Sequence, residues 1–135
     1  VIKYSLIHDL VEVYAGDTFA FEKNLEFKNS KQEREAEALE QIKNEFPEFD
    51  NLYDLINQYE KKEDDESKFV YALDKVIAEM VNYLDGGRSS KKWNWTLEEV
   101  IKNQSKKVKV SPEIEFYSDK LISILKEHEK EIYSK

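Results

Sequence analysis

The sequence predicts an all-α fold, a single-domain bundle of about five or six helices. Three observations carry that expectation. Apolar residues recur at helical spacing along nearly the whole 135-residue chain. Only three glycines and two prolines interrupt the pattern. Helix-start signals recur where one apolar run gives way to the next: Ser or Thr with Glu three residues on, or a proline at the first helical position.

Taken in order, the first helix is expected from Ile2 to Tyr14, with Gly16 as its C-terminal breaker. Thr18 to Asn29 reads as a loop or short irregular segment. Ser30-x-x-Glu33 is a capping-box pattern that opens a second helix burying Ala36, Leu39 and Ile42. Pro47 separates it from a third helix, capped near Asp50, with Leu52, Leu55, Ile56 and Tyr59 on one face. The acidic run Glu63-Asp64-Asp65-Glu66 suits the start of a fourth helix, where the macrodipole favours negative charge. That helix is expected to bury Phe69, Leu73, Val76, Ile77 and Met80 and to stop before Gly86-Gly87. Thr96-x-x-Glu99 opens a short helix carrying Val100 and Ile101, and Val108 to Val110 reads as extended. Ser111-Pro112 supplies a cap and an N1 proline for a last long helix with Leu121, Ile122 and Leu125 as its apolar stripe. The charges of Lys31 to Glu40, Glu35 among them, read as a solvated helix face, and Trp93 and Trp95 as core or lid packing beside a turn.

Charged residues make up 37% of the chain and apolar ones 40%, a balance that supports one folded core. The formal net charge of -8 argues against a nucleic-acid polymer or an anionic membrane as partner. Small phosphate substrates stay open, because a bound metal outweighs the global field locally. The absence of cysteine leaves no disulfide framework and fits a reducing, cytoplasmic compartment. No apolar run reaches membrane-spanning length, and none reads as a signal peptide.

The chemistry concentrates in Leu6-Ile7-His8-Asp9-Leu10-Val11-Glu12-Val13-Tyr14-Ala15-Gly16-Asp17, which holds one of the chain's two histidines. At helical spacing His8 and Glu12 are i,i+4 neighbours and Asp9 and Glu12 are i,i+3 neighbours, so all three project from one side. Burying that much polarity is costly unless it is paired or holds a metal. A second candidate carboxylate, Asp74, has Val70, Tyr71, Ile77 and Ala78 as helical neighbours. Its side of the helix is largely apolar. Two readings stand there: a metal ligand, or a boundary aspartate paired with Lys75, Lys68 or a tyrosine hydroxyl.

The His8-to-Asp17 segment resembles the signature of the HD-domain metal-dependent phosphohydrolases, in the branch that includes the 5'-deoxynucleotidases. Ser67-Lys68-Phe69-Val70-Tyr71-Ala72-Leu73-Asp74-Lys75 is similar to that family's second signature. Asn82-Tyr83-Leu84-Asp85-Gly86-Gly87, followed by Trp93, is similar to a turn found in one branch. The resemblance implies an HD-type bundle in which His8, Asp9 and Asp74 bind one divalent metal ion, Mn, Co, Fe, Ni, Zn or Mg. It implies Glu12 as the acid/base residue, Asp17 as a residue placing the sugar or the proton path, and Lys75 as a contact to substrate phosphate. It further implies 5'-deoxynucleoside monophosphates as substrates and a homodimer. One departure is plain: the family's first histidine lies on a preceding helix and has no counterpart among the seven residues before His8. His128, on a charge-rich helix, is a poor substitute. The expectation is therefore an HD domain over residues 1–135 that lacks the N-terminal helix carrying that histidine. The alternatives are a non-catalytic nucleotide- or metal-binding module and, in a third class, a helical interaction protein.

Overall fold

The computed structural model describes residues 1–18, 24–49 and 51–133, all of it helix, turn or irregular chain with no strand among the described residues. The chain divides into two compact units, Val1–Ser67 and Lys68–Lys135. No described helix is long and apolar enough to cross a membrane.

In the first unit, α1 (Ile2–Ile7) and α2 (Glu12–Ala15) are separated by tight turns over residues 8–11, where one helix was expected. His8 is the reason. Its Nδ1 donates to the Ser5 carbonyl at 2.9 Å, the acceptor an Asp9 N–H would use in a continuing α-helix. The backbone then tightens into i to i−3 bonds, Leu10 N to Ile7 O and Glu12 N to Asp9 O, both 3.0 Å. His8 and Val11 keep right-handed helical dihedrals. The apolar row therefore survives the break, and Tyr4, Ile7, Val11 and Ala15 are all buried.

That row packs through α1 on α5 (Leu52–Lys61) and through α2 on α4 (Lys31–Glu45), and α4 and α5 pack on each other. Ala38 and Ile42 of α4 and Ile56 and Tyr59 of α5 complete the core. Ala36, expected inside, is exposed, and Leu39 is half-buried. Ile42 is buried as expected, and the core face of α4 is shifted only so far that Ala38 takes the place of Ala36. α3 (Leu25–Asn29), capped by the Asn24 side chain on Phe27 N at 3.1 Å, lies inside the expected loop. The Ser30 capping box does not form. Ser30 ends α3 as well as starting α4, and its hydroxyl donates to the Phe27 carbonyl at 3.0 Å instead. The expected cap at Asp50 lies outside the described residues, and Asn51 precedes α5 without a side-chain cap bond.

The acidic run starts α6 (Asp65–Leu84) as expected: Asp64 Oδ1 accepts from Ser67 N at 2.7 Å. Asp64 Oδ2 also accepts from Tyr4 Oη at 2.7 Å, tying the helix start to α1. In the second unit, Val70, Ala72 and Val76 of α6 are buried, whereas Ile77 and Met80, expected in the core, are exposed. The Thr96–Glu99 capping box forms in full and opens α8 (Leu97–Val108). Val108 ends that helix and is not extended. α9 (Pro112–Glu127) carries Pro112 in its first turn and packs on α8, with Ile114, Leu121 and Leu125 buried. α10 (Glu129–Ile132) packs on α9 and on α7 (Arg88–Trp93). Trp93, read as packed, is 54% exposed.

The Asn82–Gly87 turn has a structural role that its residues explain. Asn82 is buried; its amide donates to Glu79 Oε1 (3.1 Å) and Ser90 Oγ (2.6 Å), and its Oδ1 accepts from Ser90 N (3.2 Å). Its carbonyl takes the Gly87 N–H at 2.8 Å. Gly87 sits at φ +74° with the Ile132 backbone where a Cβ would project, so only glycine lets α10 close on this turn.

Candidate functional site

His8, Asp9, Glu12 and Asp17 stand within one stretch of the first unit, carried on the tight turns and α2. Burial of Ile7 and Val11 sets the orientation of their neighbours in sequence. His8 is half-buried with its ring edge-on to Tyr59, at 6.4 Å between centroids and 80° between planes. Asp9 is exposed and Glu12 half-buried.

The hydrogen bond at Nδ1 decides what His8 can do. A carbonyl only accepts, so Nδ1 carries the proton and Nε2 presents its lone pair. That Nε2 faces Asp9 Oδ2 at 3.1 Å. Two lone-pair donors that close need a positive species for both to serve: a second proton on the ring, or a cation. An imidazole nitrogen beside a carboxylate oxygen is a donor set that divalent first-row metals take. Fixing a metal histidine by an Nδ1–H bond to backbone carbonyl is also a usual way of orienting such a ligand. This pair therefore fits a divalent metal. Among the described residues no set of three or more His, Cys, Asp or Glu side chains converges into a complete ligand group.

Glu12 opens α2, its N–H bonded to the Asp9 carbonyl at 3.0 Å and its own carbonyl to Gly16 N at 2.9 Å. Turns of the i to i−3 kind stack residues three apart, so Asp9 and Glu12 share an edge more closely than the expected i,i+4 pair of His8 and Glu12. Gly16 then turns the chain with φ +74° and ψ 142°, a conformation suited to glycine, and places Asp17 on the surface.

Asp74 and Lys75 lie on α6 in the second unit, where Lys75 Nζ pairs with Asp74 Oδ2 at 2.6 Å. The Lys75 ammonium also sits 5.4 Å from the Tyr71 ring centre. Lys31 pairs with Glu35 at 3.3 Å along α4. His128 lies in the second unit, against Glu131 at 3.2 Å and the Tyr83 ring.

One residue escaped the reading of Lys31 to Glu40 as a solvated face. Arg34 turns inward and bonds the backbone of Ala15 and Gly16, the Thr18 hydroxyl, the Phe27 carbonyl and the Ser30 hydroxyl. Residue type alone did not signal it, since Arg88, the other of the two arginines, is 81% exposed.

A family described as HD domain matches residues 1–115. The 5'-deoxynucleotidase HDDC2 of Mus musculus is 40% identical over 88 residues, which is 62% of this chain and 43% of that protein. The matched segment thus spans less than half the length of that curated relative. No solved structure matches the chain. With the family match extending over most of its length, the chain belongs to the HD domain family.

Proposed function

We propose that this HD-domain chain is a metal-dependent phosphohydrolase that removes phosphate from small nucleotides, with 5'-deoxynucleoside monophosphates as its substrates. The observation that carries the reading is the His8–Asp9 pair: an imidazole fixed through Nδ1, with Nε2 turned to a carboxylate at 3.1 Å. Likeness to the murine 5'-deoxynucleotidase supports the choice of substrate class.

In this reading His8, Asp9 and Asp74 hold the metal. A divalent cation supplies Lewis-acid polarisation of a phosphoryl oxygen and makes water more acidic. Glu12 accepts the proton of the attacking water and returns it to the leaving 5'-alkoxide. Asp17, on the turn that follows, orients the sugar or the same proton path. Lys75 exchanges its Asp74 partner for substrate phosphate. A cytoplasmic homodimer belongs to the same proposal, from the family resemblance.

The test is the metal content of the purified protein, together with phosphate release from a panel of 5'-nucleotides in added Mn²⁺ or Co²⁺. Bound metal and turnover are expected, and Asp74→Asn should weaken metal binding by about a hundredfold. A protein that neither binds metal nor releases phosphate overturns the proposal. A second reading, a non-catalytic metal- or nucleotide-binding module, draws support from the Asp74–Lys75 pair, in which an ammonium already neutralises the proposed ligand Asp74. Metal retained without turnover would select it.

A further inference from the structure

We propose that Arg34 is a positioning residue: it clamps the Gly16–Thr18 turn and thereby sets where Asp17 stands. The inference rests on the functional reading of Asp17 given above.

The guanidinium has five N–H groups in a rigid plane, and all five have acceptors. Nη1 serves the carbonyls of Ala15 and Gly16, the latter at 3.3 Å. Nη2 serves Thr18 Oγ1 at 2.7 Å and the Phe27 carbonyl at 3.2 Å. Nε serves Ser30 Oγ at 3.2 Å. The plane lies over the Phe27 ring, 3.8 Å from its centre. Arg34 thus grips the backbone or side chain of the residues on both sides of Asp17, and anchors that grip to α3 and to the start of α4.

The need for such a clamp follows from the backbone. Gly16 leaves the helix in a conformation with few local restraints, and Asp17 itself is exposed. None of the five acceptors is a carboxylate. Among the described residues Arg34 spends its donors on polar groups of the turn, α3 and the start of α4, as a strut does, and not on an ion pair. Lysine cannot replace it: a single ammonium cannot reach three residues of the turn and also stack on Phe27.

Kinetics and amide exchange test this together. Arg34→Lys should lower kcat by roughly ten- to a hundredfold with KM little changed, the range for a misplaced functional group. The same substitution in an Asp17→Asn background should change kcat by less than about twofold, since the group being positioned is already gone. In the metal-free protein, exchange of the Gly16 amide should quicken by about tenfold while the Ile42 and Ile56 amides keep their rates. A full Arg34→Lys effect in the Asp17→Asn background overturns the positioning role while leaving the phosphohydrolase reading intact. A wild-type protein without turnover overturns that reading instead, and the exchange measurement then judges the clamp by itself. Unchanged Gly16 exchange, or equal quickening at Ile42 and Ile56, overturns the clamp.

Discussion

The His8–Thr18 stretch and the Asn82–Ser90 turn are both polar segments embedded in apolar helices, and they solve that problem in opposite ways. Around Asn82 the side chains of Asn82, Glu79 and Ser90 are taken inside and satisfied. Asn82 and Ser90 bond each other twice, and Glu79 accepts from both Asn82 and Tyr133. Such a network, fully paired at low dielectric, rigidifies one arrangement and leaves nothing to offer a ligand. Around His8 the carboxylates stay at or near the surface, the helix is tightened, and the turn is held from outside by Arg34. Satisfied burial builds scaffold; partly exposed, externally braced polarity is what a reaction can use.

The largest effect that would sharpen this contrast lies in the first stretch. Glu12→Gln keeps shape but cannot accept a proton, and should cut kcat by about a hundred- to ten-thousandfold with the unfolding midpoint nearly unchanged. A kcat within a few-fold of wild type would break the assignment. The matching change in the second stretch should do the reverse. Gly87→Ala forces a side chain against the Ile132 backbone at a positive φ, and should cost about 3 kcal/mol in urea unfolding.

The smallest effect concerns Tyr4. Its phenol is pushed up from 10.0 to about 12, first by the hydrogen bond it donates to Asp64 and then by burial. The folded state therefore keeps this proton between pH 10 and 12 while the unfolded state loses it. The stabilisation is fully present below pH 10 and declines as pH rises towards 12. Tyr4→Phe should cost about 1 kcal/mol at neutral pH, and its stability should fall less steeply across that alkaline window. Tyr133, buried against Glu79, and Tyr14, bonded to Glu45, are also pushed up. Only the difference between variant and wild type thus belongs to Tyr4, and parallel curves would refute its share.

Much of this was legible in the chain itself, and the legible parts share a cause. The Thr96–Glu99 box, the Gly16 and Gly86-Gly87 stops, the acidic start of α6 and Pro112 in the first turn of α9 all act within about one helical turn. Local sterics and nearby donors are enough to favour each of them. The closeness of His8 and Asp9 was legible as adjacency in the chain, whereas the continuous helix expected to carry them with Glu12 did not form.

Tertiary structure decided what spacing alone leaves open. Periodicity states that α4 has an apolar face that includes Ile42, but packing on α2 and α5 selected Ala38 over Ala36. It did not reveal that Arg34 faces inward, because three of its five acceptors, the Ala15 and Gly16 carbonyls and the Thr18 hydroxyl, come from sixteen to nineteen positions away. Ile77 and Met80 likewise fit an apolar stripe and still finished exposed. Even the break at His8 needed a competitor for one carbonyl, a choice between two acceptable bonds that no apolar pattern encodes. Sequence determines what each turn of chain can form; the packing partner determines which of its faces, and which of its polar groups, are used.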